Sequence, residues 1–547
     1  MRRTIALAAA VTALGVMGLP ADAHNSGLPP VPLANLNLTH HNNVPNLVGN
    51  SMAFFERKEA DGTLRRYVVG ATHGNGFDII DITDPHEPVT RGRYLQGDGT
   101  GPSTVQNSSL GVNWHAWVDV NPRRNIVAVS VEDIPFVGPT GTVRHGGGFG
   151  IQLVDISDVA NPVPLGKCDG ISGPHTIRMI GDRYIYTSLN TYFIDYANPM
   201  DPICQSRFDR RLHEAYEDPN HPNRTYVGTA QAGVAQVWDT SDPWNPQTIG
   251  EIRDPGSFYA AHEVYPSPDS SYVGVADFTS DAQTQTECPG GAITFYDISG
   301  KYIPGASLSE PREMGSYWAP FEGAGVTVPV PPAGTNNPKQ VNYGSCTIHS
   351  WQMNLEREIA LGGLYMGGTW VIDPTAATPA GAGEYDGRRG KTTWGKTVGY
   401  NRDALDYVNA TQWYPFDTND PELEKQVFVM GSERGLDIYT YTGTSWPKKM
   451  ARLRMDATGG PAGAGGLITG KLDRYAVLTY EGYKNFPLAG KTLDVSAGGS
   501  TVTVTTDADG SFSADLGLAA GVYQVTATWT GDDVYRGETT TRTVVIP

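Results

Sequence analysis

A single phrase recurs along this chain. It reads FDIIDITDPHEPV at Phe77–Val89, IQLVDISDVANPV at Ile151–Val163 and AQVWDTSDPWNPQ at Ala235–Gln247. Looser copies begin at Tyr192 (YFIDYANPMDPI), Ile293 (ITFYDISGKYIPG), Thr369 (TWVIDPTAATPAG) and Leu436 (LDIYTYTGTSWPK), making seven candidates. Each is a β-rich apolar run closed by an Asp or polar turn, usually with Pro. A unit this short cannot bury its own apolar face, so it must stack on its neighbours.

The surroundings of the phrase repeat too. Around the second copy, strands are expected from Ala116, over Ile126–Val131, over Ile151–Ile156 and near Pro164–Lys167, with turns at Asn121-Pro122 and Asp158–Pro162. Four strands per unit make a propeller blade. Similar innermost strands begin at Ser51, His175, His213, His262, His349 and Gln412, which predicts seven blades. Spacing varies from 38 residues (His175 to His213) to 87 (His262 to His349), so some loops are enlarged, above all 306–346. Asn42–Gly49 reads as an outer strand that joins the last blade and closes the ring. The 65 Gly and 39 Pro, with only 18% charged residues, suit turn-dense β structure.

The phrase resembles the LVIVD-repeat family of bacterial and archaeal secreted or cell-surface proteins. That resemblance implies a β-propeller over roughly residues 44–456 and no particular reaction, because propellers host many functions. After a Gly-rich linker (457–466), residues 467–547 alternate Val and Thr between Asp-Gly and Ala-Gly turns. GVYQVTATWTGDDVY (Gly521–Tyr535) resembles bacterial Ig-like domains: Trp529 stands at the usual aromatic position, and Gly531, Asp532 and Tyr535 match. The expected fold is all-β, a seven-bladed β-propeller followed by an Ig-like β-sandwich.

The first 23 residues read as a secretory signal: Arg2-Arg3, an apolar stretch from Ile5 to Leu19, and Ala21-Asp22-Ala23 as the cleavage motif. Residues 24–43 read as a leader. No later segment has the length and apolarity of a membrane span. Export, with possible cell-surface association, makes an extracellular ligand or surface component the expected partner. A net charge of −18 with dispersed acids argues against nucleic acid. Oligomeric state is not legible. Four cysteines in an exported chain suggest disulfides, with Cys168–Cys204 and Cys288–Cys346 favoured because they close the shorter loops.

Chemistry concentrates in one register. His115, His175, His213, His262 and His349 each precede or open an innermost strand. Repeat symmetry places them on one circle around the axis, facing a common mouth. Gln412 takes that slot in the last blade, and Asn50 or Ser51 in the first. His73 and His145 fall in second-to-third-strand loops opening on the same face, as ligand-contacting candidates. Imidazole is a common ligand for copper, iron and zinc, and several at one mouth suit a metal. The arrangement is similar to that of carotenoid-cleaving oxygenases and of selenium-binding-type methanethiol oxidases, but no segment matches either closely enough to transfer a residue.

The structural alternative is a repeated internal hydrogen bond, as in WD-repeat propellers. The turns THGNG, SLNT, QAG, MGGT and SERG offer no recurrent Asp or Trp partner for it. Glu214 and Glu263 follow register histidines; strand alternation directs them toward interblade pairing. No catalytic residue is assigned, since no nucleophile elbow, phosphate loop or dinucleotide motif is present. Two functions stand: a secreted or wall-associated binding scaffold with a histidine-lined mouth, and a metal-dependent extracellular enzyme, an oxidoreductase, using the same mouth.

Overall fold

The computed structural model describes residues 32–45, 47, 49–72, 76–95, 116–131, 136–137, 143–144, 150–168, 171, 174–189, 191–207, 209–231, 233–253, 261–277, 292–319, 348–365, 367–375, 394–403, 408–431, 434–456 and 467–546. Residues 1–23, read from the sequence as a secretory signal, residues 457–466, read as a linker, and His73, His115, His145, Cys288 and Cys346 lie outside them. Among the described residues no helix is long and apolar enough to cross a membrane.

Seven antiparallel sheets follow one another, each running from an innermost to an outermost strand. Sheet 1 is Met52–Lys58, Leu64–Thr72, Gly76–Asp81 and Val89–Leu95; sheet 2 is Ala116–Asn121, Ile126–Val131, Gly150–Asp155 and Val163–Cys168. Sheets 3, 4 and 5 start at Pro174–Ile180, Glu214–Glu217 and Ala261–Pro266. Sheets 6 and 7 start at Ser350–Met353 and Val408–Trp413. The outer strand of sheet 5, Arg312–Tyr317, lies in sequence that reads as part of the enlarged loop.

Apolar cores lie between consecutive sheets. Phe55, Tyr67 and Phe77 of sheet 1 meet Val118 and Val127 of sheet 2, and the series runs on through sheets 2 to 7. It ends where Phe428, Met430 and Ile438 of sheet 7 meet Phe54, Val68 and Ile80 of sheet 1. The sheets therefore close into a ring, a β-propeller. This explains the recurrent phrase. A third strand such as Gly76–Asp81 or Ile293–Asp297 is buried at every position, because neighbouring sheets cover both faces. Its apolar run is continuous for the reason that applies to any strand covered on both sides.

The Asp that closes six of the seven runs then caps the turn. Asp81, Asp155, Asp195, Asp239, Asp297 and Asp373 accept from the backbone N–H two residues on, at 2.7–3.0 Å. Such Asx turns satisfy a backbone donor where the ladder stops.

The ring is sealed by the N-terminal segment. Leu38–Val44 pairs with Gly435–Tyr441 as the outer strand of sheet 7, and Pro32–Leu36 adds a fifth strand to sheet 6 beside Lys396–Asp403. Residues 32–43, read from the sequence as leader, are thus largely strand, and the closing strand ends near the point where the sequence suggested it would begin. Asn37, at φ +58, makes the turn between the two. Cys168 and Cys204 form a disulfide joining the outer strands of sheets 2 and 3.

Beyond the ring, a three-stranded sheet (Ala451–Met455, Leu467–Arg474, Ser511–Asp515) faces a four-stranded one (Ser500–Thr505, Thr492–Ala497, Gly521–Gly531, Arg536–Ile546). They share one core that includes Leu472, Val495, Phe512 and Trp529. Ala451–Met455 falls inside the 44–456 boundary but pairs with Leu467–Arg474, so it belongs with these C-terminal sheets.

The C-terminal unit is bolted to the ring. Arg474 pairs with Glu356 (2.9 Å) and Asp417 (2.8 Å), and Lys449 with Glu356 (2.9 Å) and Glu424 (2.6 Å). Arg536 pairs with Glu358. Asn220 of sheet 4 accepts from Ala476 N and Asn485 Nδ2. The hairpin Val477–Thr479/Gly482–Lys484 reaches the end of the channel where the inner strands finish: Leu478 N donates to Pro415 O (3.0 Å) and Tyr480 N to Glu56 Oε1 (3.3 Å).

Candidate functional site: the histidine arc at the channel mouth

The inner strands enclose a cavity of about 190 Å³. Residues of all seven strands line it, and Leu478, Gly482 and Tyr483 of the C-terminal hairpin floor it. The register histidines stand at the opposite end, where the inner strands begin.

Four of the five expected histidines are described, and they are consecutive neighbours. Ring centroids lie 5.0 Å apart for His175–His213, 4.0 Å for His213–His262 and 4.6 Å for His262–His349. The backbone arranges this in two ways. His213 N and His349 N donate to Gly228 O and Gly363 O, continuing the ladder just before their strands. In sheets 3 and 5 the register shifts between Pro174 and Ile177 and between Ala261 and Val264, so His175 and His262 sit in bulges. A bulge re-aims the side chain it carries.

The arc continues through asparagine. His349 Nδ1 donates to Asn409 O at 2.6 Å, and Asn409 Nδ2 donates to Asn50 Oδ1 and Gly49 O, each at 3.1 Å. Asn409 lies in a third bulge, between Val408 and Ala410. It therefore holds the slot assigned to Gln412, which lies three residues deeper on the channel wall. Without a histidine to mark the slot, and with an extra residue in the strand, the sequence register slips. Tyr365 was not anticipated at all. Its ring lies 4.5 Å from His349, and its φ of +36° is unusual for a non-glycine residue.

Below the arc lie two buried carboxyls, Glu214 and Glu263. Glu263 Oε2 accepts from Trp351 N at 2.6 Å, across to the next sheet, in keeping with its expected interblade role. Glu214 differs: one of its oxygens lies within 4.8 Å of ligand nitrogens of His213 and His262. His213 precedes its strand, so face alternation does not yet separate it from Glu214.

Burial, and then the Glu263 charge, push the Glu214 carboxyl well above its ordinary range. Burial likewise raises Glu263, against the Trp351 N–H and Arg178. At both carboxyls burial is the largest cause, and it disfavours the charged form. Burial lowers His349 to about 4 against the Asn409 carbonyl, with His175 lowering it further. His349 is therefore neutral, and its donated Nδ1 proton leaves the lone pair on Nε2. Deeper, Arg178 reaches Asp119 (3.5 Å) and Ala215 O (2.8 Å), and the Tyr216 and Tyr265 rings lie 4.4 Å apart above the floor.

A second grouping lies at the outer edge of the ring seam. His41, His86 and Glu422 bring one potential ligand atom each within 4.8 Å of one another. The register argument does not reach it, since none of the three opens an inner strand.

Residues 67–96 match the model of the LVIVD repeat. They run from the second strand of sheet 1 just past its fourth. No curated protein matches the chain. Among solved structures, it is similar to the β-propeller domain of Cps50 (Swd1) from Myceliophteria thermophila, at 8% identity and a TM-score of 0.41, covering 71% of this chain and 96% of that one. It is also similar to a functionally unknown protein from Desulfotomaculum acetoxidans DSM 771, at 10% identity and a TM-score of 0.40, covering 69% and 92%. Neither likeness bears on chemistry.

Proposed function

We propose that this chain is an exported seven-bladed β-propeller with an Ig-like C-terminal sandwich, and that its central mouth binds a transition-metal ion through the histidine arc. The carrying observation is the sequence of ring contacts from His175 to His349 above Glu214. His213, His262 and Glu214 already bring ligand atoms within 4.8 Å of one another, and His175 and His349 flank them at ring distances from which rotation could turn a nitrogen toward the same ion, at the roughly 2.0–2.2 Å of a bond. Neutral imidazole selects copper, iron or zinc over magnesium or calcium. His175 is the partly exposed member of the arc, so solvent would reach an ion held there from that side.

The test is metal analysis of the purified, untagged protein and of a triple variant, His175→Ala with His262→Ala and His349→Ala. The expected result is one equivalent lost at the mouth with the fold retained. Unchanged metal content together with a lowered melting temperature would make the histidines structural.

A second reading, a metal-dependent oxidoreductase, is favoured by the buried carboxyl pair Glu214 and Glu263 lining the same channel. These are groups able to give or take protons beside a metal. It predicts that Glu263→Gln keeps the metal and loses turnover.

A further inference from the structure

We propose a second transition-metal site, on His41, His86 and Glu422, that staples the seam where the ring closes. The three residues come from segments that meet only in the closed ring. His41 is on the N-terminal strand Leu38–Val44. His86 is in the turn between the third and fourth strands of sheet 1, and Glu422 is in the first turn of sheet 7, just before the short helix Leu423–Lys425.

The His41 and His86 rings lie 4.1 Å apart at 39°, and His86 Nε2 is 3.6 Å from Glu422 Oε1. Ligand atoms on a tetrahedral zinc ion sit roughly 3.4 Å from one another, given bonds near 2.1 Å. The His86–Glu422 pair is already close to that spacing.

Further contacts hold the histidines. Thr440 Oγ1 lies 2.6 Å from His41 Nε2, Gln426 Nε2 lies 3.3 Å from His86 Nε2, and Asn42 Nδ2 donates to the His86 backbone O at 2.8 Å. Polar partners on the rings fix ring orientation in metal sites, and an ion taken up at His86 Nε2 would displace the Gln426 amide. The local sequence is also particular to this copy of the repeat. The positions equivalent to His86 are Ala160, Met200 and Trp244, none of them an imidazole. Two imidazoles and a carboxylate form a recognised zinc donor set, with a fourth position left for water.

Bound only in the closed ring, the ion would stabilise closure by mass action. The experiment is zinc titration of the full chain, followed by thermal melting and by hydrogen exchange over 38–44. The chain with His213→Ala and His262→Ala is measured in parallel, so that the channel mouth cannot supply the signal. The expected result is a dose-dependent rise in Tm and slower exchange of the closing strand in both proteins. His86→Ala, and separately Glu422→Gln, should weaken the zinc response by more than the roughly 10–100-fold that outer partners contribute. Both side chains are partly exposed on turns, 38% and 60% respectively, so these variants fold. The same zinc response in His86→Ala as in the unaltered chain would overturn the proposal, as would no response in the unaltered chain.

Discussion

The mouth and the floor of the channel are made by the two ends of the same inner strands, yet they are held in different ways. At the mouth, imidazoles touch one another and a buried carboxyl lies beneath them. At the floor, a hairpin from another part of the chain is locked in place by buried ion pairs and by Asn220. The mouth gathers side chains of a metal-ligating type. The floor spends its charges on one another. One end can therefore take up a ligand, while the other maintains the shape that presents the first end.

That contrast breaks most visibly at the floor. Glu356 is 6% exposed and holds both Arg474 and Lys449. Glu356→Ala removes one of two carboxylates from each of two buried cations, Arg474 keeping Asp417 and Lys449 keeping Glu424, which puts the loss in the lower part of the range of about 3–5 kcal/mol for a broken buried pair. Chemical denaturation should show that loss, while metal content at the mouth stays unchanged in the protein that remains folded. If metal and stability fall together, the two ends are not separate.

Gly228 tests the mouth from its backbone. A Cβ there would lie 2.0 Å from His262 O, a backbone carbonyl that cannot withdraw without moving its strand. Gly228→Ala should cost about 3 kcal/mol, the upper part of the usual overpacking range. It should also displace His262 from the arc, so metal affinity falls although no ligand has been removed. A variant with lowered stability and unaltered affinity would show that His262 is not a ligand.

The mouth was largely legible in the sequence and the floor was not. His175, His213, His262 and His349 each announce a strand start, and repetition turns four positions into one circle. Asn409 was missed because its slot carries no histidine and its strand carries a bulge, which moved the assignment to Gln412. The hairpin around Leu478 lies outside the repeat. Its two three-residue strands show no periodicity, and its partners, Pro415 and Glu56, lie far away in sequence. Leu38–Val44 was half seen. THHNNV carries little apolar pattern, and its strand identity comes from the open edge of sheet 7. Tyr365 gave no signal because a single aromatic in a Gly-rich turn is not a pattern.

The smallest expected effect is the most discriminating within the mouth itself. Asn409 occupies the same ring as the histidines and is 4% exposed. If every slot in that ring serves a ligand, its removal should weaken metal binding. The bonds say otherwise. His349 is fixed by the Asn409 backbone carbonyl, which survives substitution, while the side-chain amide bonds toward Gly49 and Asn50 across the seam. Asn409→Ala should therefore leave metal stoichiometry and affinity unchanged and lower stability by roughly 1 kcal/mol, the net value of a typical intramolecular hydrogen bond. Metal titration and denaturation of the same preparation read both quantities. A tenfold loss of affinity with stability intact would extend the binding site around the ring to sheet 7. The expected result confines it to the four histidines of sheets 3 to 6 and assigns the asparagines to closing the ring.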